Sequence, residues 1–167
     1  MKAMRLARAV AGLAVSLPAL AAAQGADPSA CAGLSLADAA AFLGAPVAKI
    51  ARHVERISPS LAACSWAVGP TAPALAFSVE AYASDKAASA ALERYRDDLS
   101  LAGETAPWRG KLPRGAWSDI VGLGDDAVWS DINGALMVRV GRLNLQFTRP
   151  ADKAGQLKAA QAVTKRR

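Results

Sequence analysis

The chain contains one histidine, His53, and two cysteines, Cys31 and Cys64. A lone histidine excludes a histidine-based metal cluster and any catalytic pair of histidines, so no metal site is expected. No Gly-x-Ser-x-Gly elbow occurs, which removes the hydrolases built on that turn. Unbroken apolar chain is also scarce. The longest stretch, residues 9–20, is interrupted by Pro18 and falls short of the roughly 20 residues that span a bilayer.

Acidic residues are missing from both ends. Residues 1–23 carry Lys2, Arg5 and Arg8 without an acid, and the chain closes on Lys165-Arg166-Arg167. The formal charge of +6 resides in those two segments, because residues 24–164 hold 14 basic and 14 acidic side chains. A nucleic-acid binder carries its charge as a basic face interleaved with aromatics. This body is neutral, so nucleic acid is excluded as the expected partner.

What is present begins with an export signal. Three basic residues, then the uncharged run with Leu13, Val15, Leu17 and Leu20, then Ala21-Ala22-Ala23, follow the order of a secretory signal peptide. Cleavage after Ala23 is expected. Cys31 follows Pro28-Ser29-Ala30 rather than closing the apolar run, so no lipid anchor and no stable membrane anchor is expected. The organisation is then a signal peptide over 1–23, a polar leader over 24–30, one domain over 31–164, and a basic tail over 165–167. The destination is the periplasm or the exterior. In an oxidising compartment an isolated cysteine pair forms one disulfide. Thirty-two residues separate Cys31 from Cys64, unlike the Cys-x-x-Cys spacing of redox-active pairs, so the bridge is structural.

Helix, strand and turn signals alternate along the mature chain. Ser35 and Asp38 open a helix that Gly44 and Pro46 end. Residues 47–57 read as an uneven extended stretch. Period-two alternation follows at Ala62, Cys64, Trp66 and Val68, and again at Leu75, Phe77, Val79 and Ala81. Ser84-Asp85 caps a helix to about Leu99, with Ala88, Ala91, Leu92, Tyr95 and Leu99 on one face. Residues 100–117 are rich in Gly and Pro. Three strands come next: one over 126–130, one after the Asn133-Gly134 turn, and one after Gly141-Arg142. The Asn-Gly pair predicts a type I′ turn, with positive φ at both positions. Pro150 predicts the start of a last helix. Strands grouped in two meanders with helices between predict an α+β fold, with an antiparallel sheet of five to six strands flanked by two to three helices.

No constellation for chemistry stands out, so no catalytic residue and no cofactor is assigned. His53, among Arg52, Glu55 and Arg56, reads as solvated. Gly122-Leu123-Gly124-Asp125-Asp126 has glycines like a phosphate loop, but a strand rather than a helix follows it. Asp125, Asp126 and Asp131 lack the alternating-acid pattern and distal Glu of a calcium loop, and read as turn residues. Asp97-Asp98 are adjacent on a helix and diverge. Trp66 and Trp129 fall on inward strand positions. Trp108 and Trp117 sit in the Gly/Pro-rich segment, where they either line a pocket that stacks a sugar, lipid or peptide, or pin the segment to the sheet.

Cys31 ahead of the helix that ends Phe42-Leu43-Gly44, then Cys64-Ser65-Trp66, and later Gly122-Leu123-Gly124-Asp125-Asp126-Ala127-Val128-Trp129, together resemble a family of small secreted or lipid-anchored bacterial proteins of unknown function, the LpqN-like lipoproteins. The resemblance spans residues 31–163. It implies a PsbP-like fold, paired cysteines, and a binding or envelope-associated role with no catalytic residues. The chain departs from those lipoproteins in lacking their lipid-attachment cysteine. The expectation is a monomeric, non-enzymatic envelope domain whose partner is a protein or small molecule. The alternatives are a secreted inhibitor or immunity-like protein, and an enzyme that brings together Asp125, Asp126 and Glu80.

Overall fold

A computed structural model describes residues 27–69, 73–105 and 117–165. Trp108 lies outside the described residues. Helix α1 (Leu36–Leu43) precedes strands β1 (Ile50–Arg56), β2 (Leu61–Val68) and β3 (Leu75–Ala81). Helix α2 (Asp85–Thr105) leads to β4 (Trp117–Asp119), β5 (Asp126–Ser130), β6 (Ala135–Val140) and β7 (Leu143–Arg149), and α3 (Lys153–Thr164) follows. The fold is α+β, with one open antiparallel sheet in the order β1-β2-β3-β7-β6-β5-β4. The two meanders meet where β3 pairs with β7.

Among the described residues the sheet has seven strands where five to six were expected. β4 is the addition the pattern hides: it has three residues and emerges from the Gly/Pro-rich segment. β1 is the uneven stretch, an edge strand with only Ile50 buried, so it never alternates. Two turn details also differ. Residues 131–134 form a longer connection, and only Gly134 there takes a positive φ. Ser130 Oγ accepts from the Asn133 backbone N–H at 3.1 Å, and that local bond replaces the type I′ geometry. α3 begins at Lys153 rather than Pro150, because the Asp152 carboxylate accepts from the Gly155 N–H at 2.7 Å and caps the helix there.

Alternation places the core. Cys64, Trp66, Phe77, Phe147, Leu136 and Trp129 share one face, which packs under α1, α3 and the turn Pro28–Gly33. Trp66 and Phe77 stack at 5.4 Å between ring centroids, and Phe77 meets Phe147 at 4.9 Å. Each aromatic buried this way contributes about 1.5–3 kcal/mol by area alone. α2 covers part of the other face, where Ala88, Leu92 and Val128 are fully buried. Ser84 Oγ caps α2 by accepting from the Ala87 N–H at 3.1 Å.

Two polar devices lock the layers. The Cys31–Cys64 disulfide ties the Pro28–Gly33 turn to β2. Gln156, fully buried on α3, accepts from the Leu136 N–H at 2.8 Å and donates to the Gly134 carbonyl at 2.9 Å. Both ends of that amide are satisfied, so its burial carries no unpaired-group penalty.

Candidate functional site

The corner formed by β4, β5 and the loop between them holds Trp117, Asp125, Asp126 and the Gly122-Leu123-Gly124 run that the sequence singled out. Its base is Arg96 of α2, an arginine only 8% exposed. The guanidinium donates to both Asp126 oxygens, at 2.6 and 3.0 Å, to Asp119 at 2.8 Å and to Glu93 at 2.7 Å. It also lies 5.6 Å from the centroid of the Trp117 ring, within cation–π range. Hydrogen bonding from Arg96 outweighs burial and holds the Asp126 carboxyl below its ordinary range. The same bonds raise the Arg96 pKa against the opposing effect of burial.

Residues 119–127 line a cleft of about 230 Å³. The loop that forms it is anchored at several points. Leu123 is buried in the core while Val121, two residues earlier, is 97% exposed. Asp125 Oδ2 accepts from the Gly141 N–H at 2.5 Å and from Arg139 at 3.4 Å, and the Asp125 N–H donates to the Arg139 carbonyl at 2.9 Å. Gly124 has φ +62°, and a Cβ there would meet the Arg139 carbonyl oxygen at 2.5 Å and Val138 at 2.7 Å. A left-handed backbone and a blocked Cβ position both demand glycine. Gly124→Ala is therefore expected to cost about 2–3 kcal/mol of stability. A shift of the urea midpoint smaller than that of an exposed control, such as Gly122→Ala, would show the loop to be loosely held.

The other candidates are dispersed. Glu80 accepts from the Tyr82 hydroxyl at 2.6 Å. Burial first, and that bond second, push the Tyr82 pKa up to about 12. Glu80, Asn144, Arg139 and Asp126 occupy one cross-strand row, which sets Glu80 three strand spacings, about 14 Å, from Asp126. Glu80, Asp125 and Asp126 do not converge. His53 is exposed on edge strand β1, opposite Ser65. Asp131 accepts from the Trp129 indole N–H at 2.7 Å, and Trp66 and Trp129 are buried. Asp97 and Asp98 are exposed on α2. Among the described residues no group of three or more His, Cys, Asp or Glu side chains is placed to hold a metal.

A second concavity escaped the sequence reading. Ala41 and Phe42 of α1 face Ala162 and Lys158 of α3 across a groove of about 370 Å³, with Asp38 and Lys165 at its margins. The signal was there in outline: Lys158, Ala162 and Lys165 have the i, i+4, i+7 spacing of one helix face. The pairing of α1 with α3 depends on the sheet face they share and leaves no local trace.

Comparison of the chain with protein-family models, curated proteins and solved structures finds no match. No helix among the described residues is long and apolar enough to cross a membrane.

Proposed function

We propose that the chain is an exported domain of the bacterial envelope, led by a signal peptide cleaved after Ala23, that binds a protein partner at the β4–β5 corner. The observation that carries this reading is the engagement of the acids. Asp126 is held by Arg96, Asp125 by the Gly141 N–H, and Glu80 by Tyr82. Carboxylates fixed in this way serve as struts, which favours binding over acid–base catalysis. The cleft volume favours a macromolecular partner, since small-molecule pockets span about 300–1,000 Å³ and this one is near 230 Å³.

In this reading Trp117 presents one edge of the contact surface while Arg96 supports its ring, and Trp108 belongs to the same segment. Val121 supplies an apolar contact at the tip. The antiparallel α+β sheet and the cysteine pair agree with membership of the PsbP-like, LpqN-like group, which we include in the proposal. A photo-crosslinking residue at position 121 is expected to give one discrete adduct in the envelope, and one at position 94 on α2 none. Val121→Asp is expected to abolish the interaction behind that adduct without changing the unfolding midpoint. The same adducts from both positions, or none from position 121, would overturn the reading.

A further inference from the structure

We infer that the α1–α3 groove docks reversibly on an anionic membrane surface. This inference is independent of the β4–β5 corner and concerns the opposite face of the sheet from α2.

Three observations meet there. The groove floor is apolar, made by Ala41, Phe42 and Ala162. On α1 the outward positions 37 and 41 are exposed alanines, and Asp38 is the only charged residue in the helix. Its carboxylate accepts from the Ser35 N–H at 3.0 Å and from the Ser35 hydroxyl at 2.7 Å. A helix face turned to water is ordinarily charged; this one is not.

The second observation is the basic rim. Lys158 and Lys165 are exposed, and neither has a carboxylate within salt-bridge distance among the described residues. Lys158 Nζ lies 5.8 Å from the Phe42 ring centroid, so its ammonium group sits over the apolar floor. The third is where the uncompensated charge of the chain falls. Residues 24–164 are neutral, and the excess of three positive charges starts at Lys165 and continues in sequence with Arg166 and Arg167. The whole net charge of the proposed mature protein therefore begins at the margin of this groove.

Spacing chooses the occupant. Lys158 on α3 and Lys165, which caps its C-terminal end, are seven residues apart, about 10 Å along the axis. A small anion would meet the charge alone and leave the apolar floor of Ala41, Phe42 and Ala162 facing water. A plane of anionic headgroups meets both lysines at once, with the alanine and phenylalanine floor resting at the headgroup–acyl boundary. Such contact is peripheral and salt-sensitive. It needs no spanning helix.

Co-sedimentation of residues 24–167 with vesicles tests this. Binding is expected with phosphatidylglycerol-containing vesicles, little with pure phosphatidylcholine, and loss as salt is raised. Lys158→Gln/Lys165→Gln is expected to weaken binding about 30-fold. Ala41→Asp, at an exposed position on the floor, is expected to weaken it about tenfold or more. Lys86→Gln/Arg94→Gln removes the same charge from α2 and is expected to change binding less than about threefold. Circular dichroism of each variant establishes that it is folded. Equal losses from both double variants would show a generic charge effect and overturn the groove as the docking surface. So would binding to both vesicle types alike, or binding to neither.

Discussion

Replacing both cysteines, Cys31→Ala/Cys64→Ala, is expected to lower the unfolding free energy by about 3–4 kcal/mol. The bridge closes a segment with a sequence separation of 33, and the cost of closing a loop that size is what the unfolded chain recovers when the bond is gone. Against a typical total of about 5–15 kcal/mol, the loss is large. Its local consequence follows from the backbone. Cys31 and Ala32 have φ of 50° and 54°, and L-residues in that region each carry about 1–2 kcal/mol of strain. With the bridge absent, the Pro28–Gly33 turn is expected to relax toward extended chain. That would uncover Leu34, now 4% exposed, while the seven-stranded sheet persists. Urea unfolding with and without reductant measures the first effect, and amide exchange at residues 31–34 the second. An unchanged midpoint would show that the turn is held by its apolar contacts alone.

Arg96→Met is the second large effect, about 3 kcal/mol at neutral pH. Removing one partner from a buried ion pair typically costs about 3–5 kcal/mol, because the other charge stays behind. The lower end applies here. Glu93 and Asp119 are 61% and 59% exposed, whereas Asp126 is 28% exposed, so water screens two of the three contacts. The pH dependence distinguishes this from lost packing. The fold lowers the Asp126 pKa, so its contribution is present above the unfolded-state value of about 4 and is lost as pH falls through the folded value. The wild type should lose stability between neutral and acid pH more steeply than Arg96→Met. The double variant Arg96→Met/Asp126→Asn should recover part of the loss. Parallel pH profiles for wild type and Arg96→Met would contradict the ion-pair account.

The elements legible in the sequence are those whose signal is local. α1 was marked by Ser35 and Asp38, whose reciprocal capping bonds are present. β2 and β3 were marked by strict alternation, and α2 by its cap and apolar stripe. The Cys31–Cys64 bond followed from compartment and count. The illegible parts arise from contacts far apart in the chain. Arg96 looks like any exposed helical arginine until the sheet brings Asp119 and Asp126 beneath it, 23 and 30 residues away. Gln156 would pass for a polar surface residue, and the β6 backbone makes it a core anchor. β4 is too short to alternate, and it takes its place only by pairing with β5. At the candidate site, Asp125 and Asp126 were legible as turn and strand-entry residues. Their partners were not.

Intact-mass measurement of the protein collected from the periplasm of an expressing bacterium tests export and the Cys31–Cys64 bond together. The chain should begin at Gln24 and gain two hydrogens, about 2 Da, on reduction. A chain that keeps its first 23 residues, or one whose mass does not change with reductant, would contradict it.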